Sequence, residues 1–225
     1  MGAFLVIALG ICLQACFIIV EHKEKYVPAV ILKGSASLMF IILGFLTKEG
    51  CADVSFAKAV FIGLILGGVG DVLLNLRFVF EKIGQKIFLV GIVAFLAGHI
   101  MYLAALIPLA QNLIFLIAIG VVVAAALLYF IFHTLGEIKI AFKIFGIFYI
   151  GAIAIMTVIA IGNLISMPCM TTVLYALGAV LFLASDVVLI FNTFGREQKF
   201  SLRIANLSLY YLGQILIAVS LHYFI

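Results

Sequence analysis

Eight long apolar stretches, separated by short clusters of charge, make up almost the whole chain. They run roughly over 2–20, 27–46, 56–76, 87–109, 113–132, 143–165, 171–193 and 204–224. Each is near the ~20 residues that cross a bilayer as a helix. Lipid allows only helices or closed barrels, because every backbone polar group must be satisfied internally. None of the stretches alternates apolar with polar, so the pattern predicts helices. The expected fold is all-α: an integral membrane bundle of eight transmembrane helices, forming a single domain over 1–225. Leu13-Gln14-Ala15-Cys16 faintly resembles a lipoprotein cleavage site. The apolar run continues past it and has no basic start, so the first stretch is read as an uncleaved span.

The distribution of charge orients the bundle. Of thirteen Lys and Arg, ten fall in the odd-to-even loops: Lys23, Lys25, Arg77, Lys82, Lys86, Lys139, Lys143, Arg196, Lys199 and Arg203. Only Lys48 and Lys58 lie on the other side, and Lys33 lies inside span 2. Basic loops stay in the cytoplasm, which places both termini on the outer side. Short loops and a compact chain point to a multi-pass protein of the bacterial inner membrane. The net charge of +4 is spread over several loops, so no nucleic-acid partner is expected. With 68% hydrophobic and 10% charged residues, nothing is left over for a soluble domain. Any site must therefore be built inside the bundle, with membrane lipids as its surroundings. Oligomeric state is not written in the sequence. Cys51 and Cys169 share the outer side, and two free thiols is a simpler reading than a disulfide.

Seven of the nine acids, Glu21, Glu24, Glu49, Asp53, Glu81, Glu137 and Glu197, sit at the ends of apolar runs or between them. Asp71 and Asp186 do not. A carboxylate at the centre of a membrane helix costs about 2.5–3.5 kcal/mol on insertion scales, so it is seldom kept without a role. Lys33, His99 and Gln214 fall at comparable depth, between the basic end and the midplane. Helical phase adds Asn75 one turn from Asp71, Tyr102 beside His99, and Tyr210, Tyr211 and Asn206 around Gln214. Each has an ordinary explanation: Lys33 as half of an ion pair, His99 as an interhelical donor, the tyrosines as packing. Taken together they exceed what packing needs. One lysine cannot neutralise two carboxylates, so one aspartate is held protonated or the pair shares a proton.

The surroundings of the two acids echo each other. Gly70-Asp71-Val72-Leu73-Leu74 matches Ser185-Asp186-Val187-Val188-Leu189 at an offset of 115 residues. The same offset carries Gly63 to Gly178, Gly98 to Gly213 and His99 to Gln214. This is the pattern of a parallel four-helix repeat about an axis along the membrane normal. Gly63 and Gly67 would let a neighbouring helix approach the Asp71 helix closely.

These motifs resemble the YhhN-like lysoplasmalogenases. The matching pieces are Leu32-Lys33-Gly34, Gly70-Asp71-Val72-Leu73-Leu74, Phe95 to Tyr102, Phe182 to Leu189, and Tyr210 to Ile217. Gly34 stands where the family usually has proline, and Gly213 where it often has alanine. The resemblance implies an eight-span hydrolase that splits the vinyl-ether bond of lysoplasmalogens, its lysophospholipid substrates. The products would be a fatty aldehyde and glycerophosphoethanolamine or glycerophosphocholine, and no cofactor or metal is expected.

The chemistry suits the residues. A vinyl ether hydrolyses in acid: its β-carbon is protonated, an oxocarbenium ion forms and water adds. Two carboxyls in unequal environments handle such a cation in glycosidases. The expected catalytic pair is Asp71 and Asp186, with Asp186, judged deeper, as the acid. Lys33, Asn75, His99, Tyr102, Tyr210, Tyr211 and Gln214 are the expected substrate-binding residues. Other readings stay open. A transporter or proton-coupled protein uses the same buried acids. A metal-dependent lipid hydrolase would need about three converging ligands, and only His99 among the histidines lies deep.

Overall fold

A computed structural model of the protein describes residues 2–136 and 139–224. Glu137, one of the seven peripheral acids, lies outside the described residues. Among the described residues, eight helices are long and apolar enough to cross a membrane. They are α1 (Gly2–His22), α2 (Tyr26–Lys48), α3 (Val54–Val79), α4 (Gly84–Leu106), α5 (Leu113–Thr134), α6 (Ile140–Ser166), α7 (Met170–Phe194) and α8 (Phe200–Ser220). Among the described residues there is no strand. The ends follow local chemistry where the sequence supplies it. Asp53 caps α3 by accepting from the backbone N–H groups of Ser55 and Phe56 at 2.8 and 3.0 Å. This satisfies donors that the first turn leaves free. All four cysteines are free.

The repeat read from the sequence is present in the packing. Neighbours pack in series, α1 on α2, α2 on α3 and α3 on α4, and again α5 on α6, α6 on α7 and α7 on α8. The halves meet reciprocally, α2 against α8 and α4 against α6. That exchange of equivalent partners is what a two-fold relation between the halves produces. The helix ends share the offset too, since Val79 and Phe194 are also 115 residues apart.

Close helix crossings fall at the matched glycines. A Cβ on Gly98 would lie 3.3 Å from the Gly63 carbonyl oxygen. One on Gly178 would lie 2.8 Å from the Gly213 carbonyl, and one on Gly213 2.9 Å from that of Gly178. Lipid tails are as apolar as leucine, so helices in a membrane gain little from hydrophobic burial against each other. Close backbone approach and interhelical hydrogen bonds hold them instead. These two crossings bring α3 with α4, and α7 with α8, into tight pairs, and each pair carries one of the two acids. The least buried helices, α1 and α5, stand at the periphery.

Candidate active site between α3 and α7

Asp71 and Asp186 each lie eight residues before the end of their helix, about 12 Å by helical rise. They are therefore at equal depth, and the expectation that Asp186 is the deeper of the two is corrected. Asp186 looks deeper in the sequence when depth is counted from the next arginine, because Arg77 lies inside α3 whereas Arg196 lies beyond the end of α7. Both side chains are buried, and both line one small central cavity of about 30 Å³, room for a water molecule or two.

Their partners differ. Asp71 Oδ1 is paired with Lys33 Nζ at 3.0 Å. Its Oδ2 accepts from Ser37 Oγ and, at 2.8 Å, from the Tyr210 hydroxyl. The Lys33 ammonium is itself enclosed by the rings of Phe17, Tyr210 and Tyr211 at 5.2, 5.2 and 4.8 Å from their centroids. Asp71 thus has one cation and two hydroxyl donors. Asp186 Oδ2 accepts from the Tyr149 hydroxyl at 2.8 Å. The other polar neighbour of Oδ2 is His99 Nε2 at 3.8 Å, too long for a hydrogen bond. His99 is fully buried, packs on the rings of Tyr149 and Phe182, and neither ring nitrogen has a partner among the described residues.

Of the residues expected to bind substrate, Lys33, Asn75 and Tyr210 line the central cavity with the two acids. The others are brought close without lining it. Tyr102 donates to Gln214 Oε1 at 2.7 Å, and Gln214 Nε2 donates to the Tyr210 hydroxyl at 3.2 Å. This chain stands behind Tyr210 and aims it at Asp71. A Cβ on Gly67 would meet Gln214 Nε2 at 2.6 Å, so glycine there makes room for the amide. Tyr211 bonds to Ser37 at 3.1 Å and to the Lys33 carbonyl at 3.4 Å, fixing the helix that carries the lysine.

Sequence reasoning did not single out Ser37, Tyr149, Ser185 or Arg203. Ser37 had a signal: it lies four residues after Lys33, on the same face. Tyr149 had none, being one aromatic residue in an apolar helix. Arg203 was counted only as a topological charge. It sits one turn inside α8 and holds Glu21 of α1 in a two-pronged ion pair at 2.9 and 2.7 Å. It also reaches Asn75 and Asn206, each at 3.5 Å. Asn206 in turn donates to the Ser185 hydroxyl and carbonyl at 2.8 and 3.0 Å, bracing the residue next to Asp186.

Two further cavities adjoin the central one. An apolar slot of about 70 Å³ between α4, α5, α6 and α7 shares Leu74, Phe95, Asp186 and Leu189 with it. A polar vestibule of about 360 Å³ at the basic end shares Leu189 and Arg203. The three lie side by side, with both carboxyls in the central one: a polar mouth, an acidic centre and an apolar slot. Among the described residues no three His, Cys, Asp or Glu side chains converge as a metal's ligands would.

The profile of the YhhN family matches residues 29–221, most of the chain. The chain belongs to the YhhN family. Neither a curated protein nor a solved structure matches it. The YhhN segment contains every central-cavity residue named above, from Lys33 to Tyr210. Phe17 and Glu21, the contributions of α1, lie before it.

Proposed function

We propose that this YhhN protein is a lysoplasmalogenase of a bacterial cytoplasmic membrane. It hydrolyses the vinyl ether of a lysophospholipid to a fatty aldehyde and the glycerophospho headgroup, glycerophosphoethanolamine or glycerophosphocholine. The observation that carries this reading is the pairing of two differently partnered carboxyls in one cavity that lies between a polar vestibule and an apolar slot. Such an order matches a molecule with one headgroup, one chain and a reactive bond between them.

Asp186 acts as the acid. A buried carboxylate with no bonded cation is costly, whereas the neutral acid is not. The Asp186 proton passes to the vinyl β-carbon, and the ether oxygen supports the resulting cation at the α-carbon. Asp71, paired with Lys33 and bonded by Ser37 and Tyr210, stabilises that cation electrostatically. Water adds to the α-carbon and returns one proton to the Asp186 carboxylate. The hemiacetal then breaks into aldehyde and glycerol hydroxyl, its own hydroxyl giving up a proton and the departing oxygen taking one. Tyr149 orients the acid, and His99 and the Tyr102–Gln214–Tyr210 chain position the groups around it.

The test is incubation of purified protein in nanodiscs with a lysoplasmalogen and detection of aldehyde. Turnover of the vinyl ether, with the matched saturated ether untouched, is the expected result. Uptake of the lipid into proteoliposomes without aldehyde release would replace this reading with transport.

The slot gives a second measurement. Gly146 of α6 lines it, and a Cβ there would meet nothing within 4 Å. Gly146→Leu is therefore expected to fold normally while shortening the space for the chain. Turnover of long-chain substrate should fall about tenfold, since each excluded methylene forfeits about 0.8 kcal/mol. Short-chain substrate should be cleaved at nearly the unaltered rate. An unchanged chain-length profile would place the chain elsewhere.

A further inference from the structure

The vestibule contains a charge arrangement that the proposed chemistry at the acids does not use. Arg77, Lys199 and Arg203 line it against Glu21 and Glu24. Arg203 is occupied by Glu21. Arg77 is not so occupied: its Nε is buried with no hydrogen-bond partner among the described residues. Its guanidinium is stacked between the rings of Phe78 and Phe88, 4.6 and 4.3 Å from their centroids. Stacking fixes the plane of the guanidinium, and a held, unpaired guanidinium is a ready donor for a planar or tetrahedral oxyanion.

Spacing supplies the second observation. Arg77 lies six residues beyond Asp71 on the same helix, about 9 Å along its axis. Arg203 contacts Asn75, which is four residues, about 6 Å, beyond Asp71. In a lysophospholipid five bonds separate the ether oxygen from the phosphorus, about 6 Å when extended. A molecule with its ether at the carboxyls would carry its phosphate to the level of the two arginines.

We propose that the vestibule is a phosphodiester-binding site in which Arg77 and Arg203, one from α3 and one from α8, take the phosphate of the lipid headgroup. Lys199, on the segment leading into α8, adds positive charge at the mouth. Arg203 is loosened from Glu21 as the phosphate oxygens arrive, while Arg77 gains its first partner. The placement rests on the lysoplasmalogenase reading for the register of the ether bond, but binding does not require that reaction.

The experiment therefore measures binding of ligands that have no vinyl ether. Native mass spectrometry of the full chain would compare 1-hexadecyl-lysophosphoethanolamine with 1-hexadecylglycerol, which lacks the phosphate. The phospholipid is expected to bind about tenfold more tightly or better, the scale of one or two charge-assisted hydrogen bonds. In Arg77→Gln, which breaks no ion pair among the described residues, that preference should largely vanish while hexadecylglycerol binds as before. Equal binding of the two ligands by the unaltered protein would overturn the site, and so would a preference that survives Arg77→Gln. Phosphate-dependent binding without aldehyde release from a lysoplasmalogen would keep the site and reject the reaction.

Discussion

Asp186→Asn is expected to lower aldehyde release by at least about 10³-fold, within the range that a positioned general acid contributes. Asparagine keeps the shape of the side chain and can still accept from Tyr149, which donates to Asp186 Oδ2 at 2.8 Å. It has no proton acidic enough to give to carbon. Asp186 is bonded to no cation, so its replacement leaves no buried charge behind and the fold should be retained. Binding of the saturated lysophospholipid provides the control, because it depends on the vestibule rather than on the acid. A variant that binds lipid but releases no aldehyde supports the assignment. One that cleaves at the unaltered rate moves the acid elsewhere.

The largest expected effect on stability belongs to Lys33→Met. Methionine matches the lysine stem in length and apolar character, but it leaves Asp71 buried beside no cation. Removing one member of a buried pair costs about 3–5 kcal/mol, mostly for the charge that remains. Loss of about 3 kcal/mol of unfolding free energy, measured by SDS titration in bicelles, is the expected outcome. Ser37 and Tyr210 still donate to the Asp71 carboxylate, which places the loss at the lower end of that range. Adding Asp71→Asn should restore most of the loss, because the double variant contains neither charge. The same double variant should be inactive, since the anion beside the reacting cation is gone. If Lys33→Met and the double variant were equally unstable, the lysine would matter for its packing among Phe17, Tyr210 and Tyr211 rather than for its charge. Activity and stability would thus separate the two acids: under the proposed mechanism Asp186 is needed for chemistry alone, Asp71 for chemistry and for holding Lys33.

Lipid as a solvent made much of this legible in the sequence. A bilayer enforces helices, fixes their length near that of the hydrocarbon core and expels charge. Eight spans could therefore be counted from hydropathy, and the two acids stood out because so little else in the spans was ionisable. Repetition at an offset of 115 residues was readable because aspartates are rare in such company and glycines fall in step with them. The structure places those glycines at close crossings in each half.

What the sequence did not contain was which side chains meet. Lys33 could be assigned to neither acid, since depth alone brought it to both; the packing of α2 on α3 gives it to Asp71. Nothing in the sequence marked Tyr149, and only the contact of α6 with α7 turns its hydroxyl to Asp186. Arg203 read as a loop charge because its partners, Glu21, Asn75 and Asn206, come from three separate stretches of chain. Depth, length and polarity are one-dimensional quantities along a helix axis, and the membrane imposes them on each segment separately. Rotation about that axis and the choice of neighbour are settled only when all eight helices pack together, and that step makes two similar aspartates unequal.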